Sequence, residues 1–260
     1  MKLLMIGDVM GKPGRQAVAA LLPALKRELA IDFVIANGEN LAAGRGITEK
    51  TAQVMFDAGA DVLTTGNHIW DQREIIPMLD QEVAILRPAN YPARAPGRGL
   101  LTQGGVTVLN LQGRTFMQAI DCPFQAADRE LESVGEHDIV FVDMHAEATS
   151  EKIAMGYYLD GRATVVVGTH THVPTADAQL LPEGTAFVTD VGMVGAKDSV
   201  IGVEVDAVIG RFLTGMPARL PIAEKSKLVQ FNSVLIDIDD STGRALSITR
   251  VDREFERDGV

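Results

Sequence analysis

A repeated pattern in the first third of the chain constrains its fold more than any other feature. A short apolar run, a turn rich in Gly, Asn or Asp, and a segment with helical spacing follow one another. This alternation is typical of βα units, whose parallel strands form one sheet. It predicts strands at residues 2–6, 33–36 and 62–65, a loop at residues 7–14, and helices at residues 15–29 and 48–58. Thr48 is the expected N-cap of the second helix.

Strands become more frequent in the rest of the chain. Apolar runs predict them at residues 106–111, 139–144, 163–167, 186–189 and 234–238, and the last run is expected to form a hairpin with residues 245–251. Residues 87–99 and 216–227 have the composition of irregular surface loops. The chain contains no internal repeat and no long linker. We therefore expect a single domain of the α/β class, spanning residues 1–260.

Composition and charge exclude several classes of protein. Apolar residues make up 46% of the chain and charged residues 23%, so disorder and a collagen-like fold are excluded. The net charge of -11 opposes strong binding to duplex DNA or long RNA, although locally placed cations can still bind a small anion. One cysteine, no apolar run of about 18 residues and no signal-peptide pattern favour a cytoplasmic protein without a membrane span. A homo-oligomer is compatible with all of these features.

Polar residues follow the predicted strands at the points where the strands end. In open α/β sheets, the carboxyl ends of parallel strands lie along one edge, where ligands bind. Five strand ends carry residues of the kind that bind metals: Asp8, Glu39 with Asn40, Asn67 with His68, His145, and His170 with His172. Each has an ordinary explanation on its own, as a turn former or a lone histidine. Four of the five histidines belong to the set, which favours a shared site; the fifth, His137, is assigned no role.

Carboxylate, amide and imidazole groups together predict a metal centre. The only thiol, Cys122, lies outside the set, which excludes a cysteine-rich zinc site and an iron–sulfur cluster. The remaining donors suit iron, manganese or zinc. Because they outnumber the ligands that one tetrahedral ion needs, we predict two ions that share a bridging carboxylate.

The same residues occur within motifs that resemble those of the calcineurin-like metallophosphoesterase superfamily. These motifs are Gly7-Asp8, Gly38-Glu39-Asn40, Gly66-Asn67-His68, His145 and residues 168–172 (GTHTH). Longer stretches are similar to the bacterial YmdB-like branch, namely residues 35–40 (IANGEN), 65–71 (TGNHIWD), 145–152 (HAEATSEK) and 189–193 (TDVGM). The resemblance runs from residue 1 to about residue 250 and rests on the order and spacing of the motifs together.

The resemblance implies a four-layer αββα sandwich with a dinuclear metal site at its strand ends. Carried over by position, one ion is held by Asp8, Glu39, Asn40 and His172, and the other by Glu39, Asn67, His145 and His170. Glu39 is then the bridging ligand, and His68 is the general acid beside the site. The branch leads us to expect iron, with manganese or zinc as alternatives.

The sequence departs from the superfamily pattern at three positions. Met10 stands where the superfamily has a histidine ligand, and Glu39 stands where it has a bridging aspartate. In the superfamily the glycine and the histidine are adjacent, whereas here Thr169 separates the glycine at position 168 from His170. Methionine is a poor ligand for a hard ion, so Asn40 is expected to complete that coordination shell.

The implied activity is hydrolysis of small phosphodiesters, with 2',3'-cyclic nucleotides as the expected substrates. A metal-held hydroxide would attack phosphorus, and His68 would protonate the leaving alkoxide, with Asp71 a nearby carboxylate in the sequence. Two alternatives stay open: a phosphomonoesterase or other metallohydrolase on the same site, and a regulatory nucleotide-binding protein with little turnover. Local positive charge for the substrate is expected from Arg87, Arg94, Arg98, Lys12, Arg15 and Arg45. The alternatives are that these cations are only solvated, or that the loop at residues 87–99 contacts a partner.

Overall fold

The computed structural model describes residues 1–132, 134–135 and 138–257, so His137 lies outside the described residues. Within them the chain forms six α-helices, α1 to α6, at Gly11–Leu29, Glu49–Ala58, Ile76–Leu79, Pro123–Leu131, Thr149–Tyr158 and Val205–Thr214. A short 3-10 helix at Arg73–Ile75 precedes α3. The strands, β1 to β15, lie at Lys2–Ile6, Asp8–Val9, Phe33–Asn37, Val62–Thr64, Leu100–Gln103, Val106–Gln112, Ile139–His145, Val165–Thr169, Gln179–Leu180, Ala186–Val188, Met193–Ala196, Leu228–Phe231, Ser233–Asp239, Arg244–Arg250 and Arg253–Glu256.

Two mixed sheets form the body of the molecule. The first has the strand order β14-β13-β1-β3-β4, in which β1, β3 and β4 are parallel. The second has the order β5-β6-β7-β8-β10-β9, in which β6, β7, β8 and β10 are parallel. Helices α1, α2, α4 and α5 connect successive parallel strands, as crossovers in such sheets require. A smaller third sheet has the order β15-β12-β11-β2.

The two large sheets face each other, and helices cover their outer faces. Successive side chains of a strand point to opposite sides of its sheet. In β1, Met5 points inward and belongs to the same buried cluster as Phe141 of the second sheet. Ile6 points outward and shares a cluster with Leu22 of α1. Met155 of α5 lies in a third cluster, on the outer face of the second sheet. The four layers confirm the predicted αββα sandwich.

The predicted boundaries near the site are partly wrong. Residues 7–14 were expected to be a loop, but Asp8–Val9 is a short strand and α1 begins at Gly11. Pro13 is compatible with this early start because the first N–H groups of a helix have no partner within it. The second helix begins after Thr48 as predicted, and the Thr48 hydroxyl accepts a hydrogen bond from the backbone N–H of Thr51.

Several elements were not predicted from the sequence. They include the helices α4, α5 and α6 and the strands β5, β9, β11, β12 and β15. Most of these strands are short or lie at a sheet edge, where a long apolar run is not required. None of the helices in the described part of the chain combines the length and apolar content that a membrane span needs.

Candidate metal centre

The strand-end residues meet at one end of the two facing sheets. Asp8 lies two residues after the end of β1, at the start of β2, and residues 39–40 and 67–68 follow β3 and β4 of the first sheet. From the second sheet, His145 is the last residue of β7, and residues 170–172 follow β8. Parallel strands from both sheets therefore deliver side chains to one place at their carboxyl ends.

Three of these residues lie around one nitrogen of His145. Its Nε2 is 3.1 Å from Oε1 of Glu39, 3.1 Å from Oδ1 of Asn67 and 3.0 Å from Nδ1 of His170. The side chains of Glu39 and His145 are buried. In the described part of the chain, Glu39, His145 and His170 form a group whose donor atoms all lie within 4.8 Å of one another.

A buried network determines which nitrogen of His145 carries a proton. The hydroxyl of Thr169 donates to Oδ1 of Asp143 at 2.7 Å. Because a hydroxyl has one proton, Thr169 accepts a hydrogen bond from Nδ1 of His145, which is 2.9 Å away. Asn37 and Thr64 also donate to Asp143 and hold it in place. The neutral ring of His145 therefore has its lone pair on Nε2.

When the His145 ring is neutral, as in a metal ligand, lone pairs from several residues converge. Nε2 of His145 faces the side-chain oxygens of Glu39 and Asn67. Nε2 of His170 lies 3.0 Å from Oε2 of Glu147, so Nδ1 of His170 is left to face the same point. In the metal-free protein the proton of His145 lies between these acceptors, because the pKa of that ring is raised to about 9, and a bound cation would take the place of that proton. This arrangement is what a cation site requires.

Asp8, Asn40 and His172 form a second group beside the first. Nε2 of His172 lies 3.3 Å from Oδ1 of Asn40 and 3.9 Å from Oδ1 of Asp8. The same Asp8 oxygen is 3.9 Å from Nδ1 of His145, which connects the two groups. Nδ1 of His172 donates to the carbonyl oxygen of Ile201 at 2.9 Å, so its lone pair is also on Nε2.

Burial and mutual charge shift the pKa values of these groups. Burial raises the pKa of Asp8 to about 7, because its charged form loses hydration. Burial would also raise the pKa of Glu39, but the charge and hydrogen bond of His145 hold it well below its usual range. Burial would lower the pKa of His145, yet Glu39 and Asp8 outweigh that effect and raise it to about 9. The pKa of His170 falls to about 3 because the ring is buried and faces His145.

Two observations and the donor chemistry show that these residues fit metal ions. Oδ1 of Asp8 is buried and has no hydrogen-bond partner among the described residues. Gly66 keeps the centre open, because a Cβ there would lie 2.0 Å from Cδ2 of His145 and 2.5 Å from Oε2 of Glu39. The donor atoms belong to carboxylate, amide and imidazole groups, which suit iron, manganese and zinc.

His68 lies beside the first group and has a carboxylate partner. Its Nδ1 is 2.9 Å from Oδ2 of Asp71, and its backbone N–H donates to Oε2 of Glu39 at 3.2 Å. Its side chain is partly exposed. Because Asp71 takes Nδ1, Nε2 is the nitrogen that a bound ligand can reach. The sequence placed Asp71 near His68 only along the chain, and the structure places it in direct contact.

A buried ion pair holds the loop that carries His170 and His172. Nζ of Lys152 lies 2.8 Å from Oδ2 of Asp190, and both side chains are buried. The same carboxylate oxygen accepts hydrogen bonds from the backbone N–H and the hydroxyl of Thr171, between the two histidines. Both histidines have positive φ angles, 101° and 66°, which are unfavourable for residues other than glycine. The ion pair therefore stabilises a strained loop.

Removal of this lysine is expected to destabilise the protein strongly. Lys152→Met leaves Asp190 as an uncompensated buried charge, which should lower the free energy of unfolding by about 3–5 kcal/mol. The matched control is Lys197→Met, at the exposed ion pair with Glu254, where we expect a change below about 1 kcal/mol. Urea denaturation measures both variants. Equal losses of stability would contradict the assigned role of the buried pair.

The structure corrects the expectation about local positive charge. Arg87 is buried, and its guanidinium donates to the carbonyl oxygens of residues 88, 95 and 96. Arg87 therefore shapes the 87–99 loop and is not a contact for substrate. Arg98 and Arg15 also donate to backbone carbonyl groups. The exposed cations of the expected set are Lys12, Arg45 and Arg94.

The sequence did not identify the residues that hold the site histidines, or the loop that carries them, through hydrogen bonds and ion pairs. Asp143 and Thr169 lie inside apolar strands, and nothing in their spacing indicates a contact with His145. Glu147, Lys152 and Asp190 lie within the motifs 145–152 and 189–193, which do not indicate what these three residues contact. Those motifs were the one signal that could have found them.

Comparison with known sequences identifies the family of the chain. A family profile described as YmdB-like protein matches residues 4–251. A relative from Bacillus subtilis (strain 168), named 2',3'-cyclic-nucleotide 2'-phosphodiesterase, is 47% identical over 256 residues. The aligned region covers 96% of this chain and 96% of the relative.

Two solved structures are similar over nearly the whole chain. A crystal structure of a hypothetical protein from Thermus thermophilus has a TM-score of 0.91 and 44% sequence identity, and the match covers 99% of this chain and 100% of that one. A crystal structure of a novel phosphatase from Mycoplasma pneumoniae has a TM-score of 0.91 and 30% identity, with 99% and 95% covered. The fold, the converging strand ends and these matches together show that the chain belongs to the YmdB-like protein family.

Proposed function

We propose that this chain is a phosphodiesterase with a dinuclear metal centre that hydrolyses small phosphodiesters, in particular 2',3'-cyclic nucleotides. One observation carries the proposal. Acceptor atoms from two sheets converge around Nε2 of His145 and Oδ1 of Asp8, and the latter is buried without a hydrogen-bond partner among the described residues. Bound cations would compensate these groups.

The two contact groups correspond to two ligand sets. One ion would be held by Asp8, Glu39, Asn40 and His172, and the other by Glu39, Asn67, His145 and His170. Glu39 is suited to bridging because its carboxylate is buried and remains anionic. Iron is the expected metal, with manganese or zinc as alternatives. When bound, such ions supply an activated water and neutralise the charge of the phosphoryl oxygens.

His68 would supply the proton to the leaving oxygen of the substrate. Asp71 accepts from Nδ1, which orients the ring so that Nε2 faces the substrate. The backbone hydrogen bond to Glu39 keeps His68 beside the metal ligands. A ribose alkoxide is strongly basic, so its departure without a proton donor is slow.

A compact substrate suits the charge of this chain. The net charge of -11 gives no overall attraction for a long polyanion. Arg87, Arg98 and Arg15 are occupied by backbone carbonyl groups, which reduces the positive charge available to a nucleic-acid strand. A single phosphodiester needs few contacts beyond the metal centre. The name of the Bacillus subtilis relative supports a cyclic nucleotide as that diester.

A comparison of substrates tests the proposal. We expect 2',3'-cyclic mononucleotides to be hydrolysed with a kcat/KM at least equal to that on duplex DNA or structured RNA at about 0.15 M salt. The salt dependence of any RNA binding should be shallow, because few phosphates are contacted. A much higher kcat/KM on long RNA, with a steep salt dependence, would show that the polymer is the substrate.

Two further substrates separate the remaining classes of function. A phosphodiesterase hydrolyses bis-p-nitrophenyl phosphate faster than p-nitrophenyl phosphate, whereas a phosphomonoesterase shows the reverse order. A regulatory nucleotide-binding protein would hydrolyse neither compound, even with metal added. We expect the first pattern.

A further inference from the structure

Phe116 combines two features that folding alone does not explain. Its side chain is 90% exposed, so its ring gains almost nothing from burial. Its φ angle is 63°, in the left-handed region that bulky residues rarely adopt. An aromatic residue at this position therefore contributes almost nothing to folding through burial, while its backbone conformation is unfavourable. Strained residues of this kind concentrate at functional sites.

Residues 113–118, which we call the rim loop, begin at the metal centre. The loop follows β6, whose last residue, Gln112, pairs with His145 of the neighbouring strand. The backbone N–H of Gly113 donates to the carbonyl oxygen of His145 at 2.9 Å. Phe116 thus lies three residues beyond the point where the chain leaves His145. The carboxyl ends of these parallel strands form the edge where ligands bind.

A carboxylate fixes the backbone of the rim loop just before Phe116. Glu151 of α5 accepts hydrogen bonds from the backbone N–H groups of Arg114 and Thr115, at 3.0 Å and 3.2 Å. These bonds hold the two residues that precede the ring. The exposed ring is therefore presented on an anchored backbone.

The far end of the rim loop is attached to the side of the site that carries His68. Gln118 accepts a hydrogen bond from the hydroxyl of Tyr91 at 3.1 Å. Tyr91 packs edge-on against Trp70, with ring centroids 5.5 Å apart, and Trp70 is two residues after His68. The rim loop thus connects the His145 side of the site with the His68 side, and Phe116 lies between its two anchors.

We propose that Phe116 stacks on the base of a nucleotide whose phosphate occupies the metal centre. A nucleobase is planar and has two apolar faces, and it is the part of a nucleotide that an exposed aromatic ring recognises. Stacking of this kind tolerates different bases because each has a π-face. The inference rests on the proposed function for the position of the phosphate. It assigns Phe116 as the residue that binds the base of that nucleotide.

Binding of the base can be measured without turnover. Phe116→Trp places a fluorescent ring at the proposed position, and Phe212→Trp is the matched control at an exposed site (83%) in α6. The wild-type protein, with Trp70 as its one tryptophan, supplies the background. We expect 3'-AMP to quench Phe116→Trp saturably, with no such response in Phe212→Trp or with ribose 5-phosphate. No saturable response, or the same response in both variants, would overturn the inference.

Kinetics then separate stacking from a structural role. Phe116→Ala should raise KM for 2',3'-cAMP by roughly 5- to 100-fold. Ethylene phosphate, a five-membered cyclic diester without a base, should be hydrolysed by this variant as by the wild type, and Phe212→Ala should change neither substrate. Equal losses on both substrates, or a changed oligomeric state with an unchanged KM, would overturn stacking. If the wild-type protein hydrolyses neither compound, the proposed function fails, while the fluorescence titration still decides whether the base stacks.

Discussion

Glu39→Ala is expected to remove both metal ions and to abolish phosphodiester hydrolysis. The Glu39 carboxylate is buried, contacts His145 and accepts the backbone hydrogen bond of His68. In the proposed centre it is the one ligand shared by both ions, so its loss weakens both sites at once. Elemental analysis of protein purified without chelators should fall from about two ions per chain to nearly none.

Asn40→Ala provides the matched comparison. The Asn40 side chain lies 3.3 Å from His172 and belongs to only one of the two ligand sets. Its removal should weaken chiefly one ion, so that the protein keeps about one per chain. One tightly bound ion in the wild-type protein, unchanged in Glu39→Ala, would contradict the bridging role.

His68→Ala is expected to keep its metal ions and to lose about 10²- to 10⁴-fold in rate on 2',3'-cyclic nucleotides. The reason is that the leaving group of these substrates is an alkoxide, which needs a proton. Asp71→Asn should reduce the rate in the same direction, because Asp71 holds Nδ1 of His68 at 2.9 Å. Steady-state kinetics and elemental analysis of the same preparations measure both effects.

A change of leaving group provides the control for His68. p-Nitrophenolate departs without protonation, so His68→Ala should lose much less activity on bis-p-nitrophenyl phosphate than on a cyclic nucleotide. Equal losses on the two substrates would count against a proton donor. Loss of metal would instead show that His68 is a ligand.

The sequence predicted those features of the fold that depend on local pattern. Short apolar runs identified the strands that end beside Asp8, Glu39, Asn67 and His145, because buried parallel strands are apolar almost throughout. The rule that parallel strands end at one edge then grouped residues far apart in the chain. The start of α1 was misplaced because Gly11 and Pro13 usually indicate a loop, although both are tolerated in a first helical turn.

The supporting contacts could not be predicted, because they join residues distant in sequence. Asp143 and Thr169 are separated by 26 residues and Lys152 and Asp190 by 38, and all four side chains are buried. No periodicity specifies such pairs. For Arg87 the sequence predicted a contact that the structure does not support. Its charge indicated a contact for substrate, whereas its burial among carbonyl groups gives it a structural role.

A metal titration of the chelator-treated protein tests the two-ion phosphodiesterase most directly. Hydrolysis of 2',3'-cAMP is recorded while Mn²⁺ is added to metal-free protein, and the same titration is repeated with iron and zinc. The account predicts no hydrolysis without metal and a plateau at about two equivalents per chain for at least one of these metals. Full activity in the metal-free protein, or no hydrolysis at any loading with all three metals, would contradict it.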